Sequence, residues 1–250
     1  LSHPVSTKSE AAQQLFNQGF TLMYGFNHEE AVRSFEQALK YDSTLAMAYW
    51  GIAFCYGSNY NWPADLHATR LANENIKKAQ ALLDHASDKE KDYINTLAVR
   101  YTDDSTADFH ALEVKYSEGM KALSEKYPDD LDARCLYAES MMNLHPWELW
   151  LPDGTPNENT NDIIAALQYV LSKDSMHVGA NHYYIHATEA SPHPELALPC
   201  ARRVASLVPN AGHLVHMPAH VYMRTGDYHG ANEANTIASN VDSAYIKQYN

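Results

Sequence analysis

The strongest constraint on the fold is a spacing of small and aromatic residues. Gly19 is followed by Ala31, Phe35 and Ala38, at offsets of 12, 16 and 19. Downstream, Ala197 precedes Pro209 by 12 residues, and Ala231 follows Ala197 by 34. Apolar residues also recur at helical intervals, as in Phe16, Phe20 and Met23, or Ala31, Phe35 and Ala38. A strand would need alternation with a period of two, which is absent, so the chain is read as helical. One such helix pair cannot bury its apolar face alone. It must stack on a neighbour, and small residues at fixed offsets let the helices approach.

This pattern resembles the tetratricopeptide-repeat (TPR) family over most of the chain. The match is specific at 12–45 and 178–245. It is weaker at 60–110, where Asn61-Trp62-Pro63 and Asp103-Asp104-Ser105 interrupt it. Turn signals fall at 127–130, before a helix beginning near Leu131, and at 224–228. The resemblance implies an all-α protein: an α-solenoid of about six antiparallel helix pairs wound into a right-handed superhelix. It is expected to be one domain over 1–250, with an insertion loop at 145–160. Within that loop, Pro146, Pro152 and Pro156 rule out a continuous helix and Trp147 and Trp150 add apolar bulk. It is either a connection plugging the solenoid edge or a lid over a groove. The last residues, 242–250, read as the opening helix of another repeat with no polar cap after it, as expected of a piece of a longer chain.

Composition narrows the function. Hydrophobic residues make up 45% and charged residues 20%, as in a globular chain. The net charge is −13 and the densest basic stretch is Arg202-Arg203, which argues against a nucleic-acid partner. No apolar run approaches the roughly 20 residues of a membrane span. Cys55, Cys135 and Cys200 are far apart, without a CxxC pair, and offer neither a disulfide framework nor a thiolate zinc site. His-Glu-x-x-His, Gly-x-Ser-x-Gly, phosphate-loop and dinucleotide motifs are absent. A start at Leu1, few lysines, and many asparagines, tyrosines and serines are compatible with an exported, periplasmic protein.

Histidine carries the sharpest chemical signal. Seven of the 14 histidines lie within 177–220, where uniform placement would put about 2.5. His182, His186 and Glu189 are spaced i, i+4, i+7, and His213, His216 and His220 are spaced i, i+3, i+7, so each set lies on one helical stripe. Pro218 within the second set predicts either a first-turn position or a kink that would turn His220 aside.

In TPR proteins the first helix of each pair lines the concave groove. With Val178 and Gly212 as first positions of two units, the resemblance turns His182, His186, His213, His216 and His220 into that groove. In the same register it assigns Cys135 and Glu139 to the groove, and Phe16, Phe20, Trp50 and Phe54 to its aromatic end, with Trp147 from the loop. Two function classes follow. In one, His182, His186, His216 and His220, with His213 as a further candidate, hold a divalent transition metal (zinc, copper or iron). Glu139, Glu189 and Arg224 are then candidate catalytic or ligand groups. In the other, the groove binds a peptide or protein without catalysis.

Overall fold

The computed structural model describes residues 2–249. Among them the chain forms twelve α-helices, two short 3-10 turns and no strand beyond two isolated bridges. The helices are α1 (Glu10–Tyr24), α2 (His28–Tyr41), α3 (Ala46–Tyr56), α4 (Leu66–Ala81), α5 (Asp88–Ala98), α6 (Phe109–Lys126), α7 (Leu131–Met142), α8 (Thr160–Lys173), α9 (Val178–Thr188), α10 (Leu198–Leu207), α11 (Gly212–Thr225) and α12 (Tyr228–Tyr249). No described helix is long and apolar enough to cross a membrane.

The helices gather into two compact units. One comprises Leu1–Met23 with His28–Pro146, and the other comprises Tyr24–Asn27 with Trp147–Asn250.

In the first unit, α2 through α7 pack each on the next, and α3 also meets α5. The repeat residues explain part of this packing. A Cβ on Gly19 of α1 would lie 2.8 Å from the Phe35 ring, and one on Gly51 of α3 would lie 2.5 Å from it. Phe35 of α2 therefore fills a slot that only two glycines leave open. Ala31, Phe35 and Ala38 are all fully buried. Helix starts are set by local caps. Asp65, Asp108 and Asp130 accept from backbone N–H groups of α4, α6 and α7, and Ser87 and Glu90 form a capping box on α5.

In the second unit, α8 through α12 pack in succession, and α9 also meets α11. α9 is buried along its whole length, from Val178 to Thr188. Interior polar side chains need partners, and α9 supplies them. Asn181 donates to the Ser175 and His177 carbonyls, Thr188 donates to the Tyr184 carbonyl, and His177 accepts from the Ala180 N–H. α11 continues as one helix through Pro218, so His216 and His220 belong to the same element. It ends at Gly226, whose φ of 86° is the left-handed conformation glycine tolerates.

One expectation changes here. Residues 242–249 do not open a new helix; they are the continuation of α12, which has no proline to stop it. Leu1 and Asn250 lie outside the described residues. In the 145–160 loop, Leu149 is buried and Trp150 Nε1 donates to the Ala187 carbonyl at 2.8 Å, so this stretch is tied down at the end of α9.

Candidate metal centre

α9 and α11 begin at Val178 and Gly212, and their two stripes meet. Ring centroids separate His182 from His186 by 4.9 Å, His182 from His213 by 4.8 Å, His186 from His220 by 5.6 Å, and His216 from His220 by 4.7 Å. Ligand-capable nitrogens of His182, His186 and His213 all lie within 4.8 Å of one another. The Nε2 atoms of His182 and His213 approach to 2.9 Å, and those of His216 and His220 also approach to 2.9 Å.

The opposite edges of four of these rings, those of His182, His186, His216 and His220, are held by hydrogen-bond acceptors. His182 Nδ1 donates to the Tyr24 carbonyl at 2.6 Å, and His186 Nδ1 donates to Glu189 Oε1 at 3.1 Å. His220 Nδ1 donates to Glu189 Oε2 at 2.6 Å, and His216 Nδ1 donates to Asn235 Oδ1 at 2.5 Å. An acceptor at Nδ1 fixes the proton there, so in each neutral ring the lone pair is on Nε2. Outer-shell acceptors orient metal-bound imidazoles in this way.

Electrostatics keep the inner rings neutral. Burial pushes His182 well below the usual histidine range, and the neighbouring His213 and His186 push the same way. Burial also lowers His186, against the pull of the Glu189 carboxylate. For Glu189 burial acts upward, but the N–H groups of His186 and His220 overcome it and bring the carboxyl down to about 2. Each Glu189 oxygen accepts from one imidazole N–H, so the carboxylate orients both rings.

Two strained residues frame the cluster. Phe26 has φ 54°, and its ring centroid lies 4.6 Å from that of His182 and 5.4 Å from that of His213. Trp147 has φ 64°, is 55% exposed, and meets His186 edge-on at 5.8 Å. A positive φ in a bulky residue costs of order 1–3 kcal/mol and persists only where surroundings enforce it. A cavity of about 370 Å³ opens beside the cluster, lined by Phe26, Asn27, Asn210, His213, His216 and Asp242 among others.

The remaining candidates lie apart from this constellation. Glu139 is buried in the first unit and accepts from Asn143 Nδ2 at 2.5 Å. Arg100 nearby is matched by Glu113 through contacts of 2.9 and 2.8 Å and donates to the Ser58 carbonyl at 2.7 Å. Burial raises Glu139 to about 7 despite the pull of Arg100 and Asn143. Cys135 is buried and belongs to no disulfide. Arg224 is exposed near the end of α11. Phe16, Phe20, Trp50 and Phe54 are at most 2% exposed, stack on one another, and meet His3 and Tyr93. They serve as interior packing of the first unit, not as an open aromatic face. Met217 is likewise core, and His193 sits in an exposed turn. Another metal-like grouping, His3, Asp130 and Asp132, is taken up structurally: His3 binds Asp132, while Asp130 caps α7 and pairs with Lys89.

Neither a protein-family model nor a curated protein matches the chain.

Tyr24, Phe26 and Asn235 are site residues the sequence does not announce. The only local hint is the Tyr24-Gly25-Phe26 turn ending a helix, which has no link to residues some 160 positions on.

Proposed function

We propose that this is a TPR-like protein whose helix pairs stack as an α-solenoid and hold a divalent transition-metal ion on His182, His186 and His213. Contacts of α3 with α5, and of α9 with α11, support the stacking, because first helices of successive pairs touch in such repeats. The observation that carries the metal assignment is the convergence of three imidazoles: ligand-capable nitrogens of His182, His186 and His213 all lie within 4.8 Å of one another, and the Nδ1 protons of His182 and His186 are engaged by oxygen acceptors. With their protons on Nδ1, His182 and His186 present Nε2 as an electron-pair donor, and the buried His182 resists protonation there.

With metal–nitrogen bonds of about 2.0–2.1 Å, a 2.9 Å gap subtends about 90° at the ion. Tetragonal copper(II) accepts that opening directly, and zinc or iron does so after a few tenths of an ångström of widening. Three protein ligands leave positions for water or substrate. A water bound there becomes acidic enough to serve as a nucleophile near neutral pH, which makes metal-dependent hydrolysis the reaction class. The adjacent cavity offers two carboxamides, one carboxylate and aromatic faces, with no lysine or arginine among its described lining residues. It suits a small neutral or cationic molecule better than a polyanion.

The test is metal analysis of purified protein reloaded with zinc or copper. His182→Ala and His213→Ala are expected to lose the ion while keeping wild-type helical content by circular dichroism. Folded variants that retain their full metal complement would refute the assignment.

A further inference from the structure

The three-imidazole group uses only part of the cluster. His216 and His220 stand beside it with a signature of their own: each Nδ1 is held by an oxygen acceptor, and the two Nε2 atoms are 2.9 Å apart. Both rings are half-buried, unlike the enclosed His182 and His186. Their spacing, four residues apart on one helix, puts the two rings on the same face.

Glu189 links the two groups. One oxygen orients His186 of the first set and the other orients His220 of the second. One buried carboxylate thus lends negative charge to both places where Nε2 lone pairs gather. The groups are also adjacent across the helices: His186 and His220 rings are 5.6 Å apart, and His213 and His216 rings are 6.3 Å apart. Moreover, His213 from one group and His216 from the other line the same cavity.

We propose that His216 and His220 form a second divalent-cation site, so that the centre is a two-ion one opening on a shared cavity. The inference rests on the metal centre proposed above. Two imidazoles supply a cis pair of ligands, and water or a substrate oxygen entering from the cavity completes the shell. A substrate group in the cavity would then meet both ions, as in hydrolytic centres where one ion activates water and the other binds the group attacked.

Stoichiometry separates this inference from the simpler one. Metal-free full-length protein is titrated with copper(II) or zinc, dialysed, and assayed for metal per chain. Wild type is expected to hold two equivalents and the double variant His216→Gln/His220→Gln one, with unchanged helical content. In copper(II) electron paramagnetic resonance, the wild type is expected to show dipolar broadening that the double variant lacks. One equivalent in wild type, retained in the double variant, would overturn the second site and leave the three-imidazole ion standing. One equivalent lost in the double variant would mean that five rings share a single ion, which also overturns it. No bound metal in wild type would overturn both proposals, the close nitrogens then sharing only a proton.

Discussion

Replacing Glu139 by Gln tests the charge balance of the first unit. Arg100 is enclosed with two carboxylates, and Glu113 already neutralises it through two short contacts. Glu139 is thus the surplus charge, and burial raises its carboxyl from 4.5 to about 7. The folded state keeps a proton that the unfolded chain releases above pH 4.5, so stability falls as pH rises from about 4.5 to 7 and is flat beyond. Two and a half pH units correspond to about 3 kcal/mol. Buried His28 acts oppositely: burial lowers it to about 4, so its contribution is full above pH 6.5 and is lost as pH falls toward 4. The two slopes cancel over much of the shared window, which makes the wild-type profile alone uninformative. The difference between Glu139→Gln and wild type removes the His28 term. Gln mimics the protonated acid and still accepts from Asn143, so the two proteins are expected to match near pH 4. The variant should then gain about 3 kcal/mol relative to wild type by pH 8. Urea unfolding at one-unit steps in chelating buffer measures this. A difference that stays constant with pH would show that Glu139 is ionised in the folded protein and would refute the reasoning.

Two further outcomes follow from packing and placement. Gly51→Ala places a methyl 2.5 Å from the buried Phe35 ring, a clash that outweighs the helix-propensity gain of about 0.5–1 kcal/mol. A net loss of about 1–3 kcal/mol is expected in urea unfolding, relieved by adding Phe35→Leu; an unchanged midpoint would count against the slot. Trp147 lies edge-on to His186, so copper(II) binding is expected to quench its emission. Trp147→Phe should remove most of the copper-dependent quenching while leaving metal content unchanged; quenching that survives in full would place the ion elsewhere.

The helix pairs were legible because their determinants are local. Gly19, Ala31, Phe35 and Ala38 sit at offsets that face one another when helices pair, and α7, α9 and α11 start where the turn and repeat spacing put them. The imidazole stripes were legible for the same reason, since helical geometry alone aligns i, i+3, i+4 and i+7. What escaped are relations between distant segments: the Tyr24 carbonyl meeting a ring 158 residues away, Phe26 entering among the imidazoles, and Asn235 holding His216. Periodicity also does not distinguish a groove-facing aromatic from a core one, which is why Phe16, Phe20, Trp50 and Phe54 pointed to a ligand surface and form interior packing instead. Glu189 was legible as a member of the stripe, but its hold on two rings depends on a second helix.

The turn at Tyr24–Asn27 has a bearing on biosynthesis. It leaves the ribosome well before His213, His216 and His220, which lie almost two hundred residues further on, and the cluster needs both. Nascent polypeptides organise from the amino end, so the early turn must wait for its late partners. On the metal reading proposed above, cation uptake would be a finishing event: ions added during translation would find scattered histidines, and a fitted nest exists only after the far segments have returned to that turn.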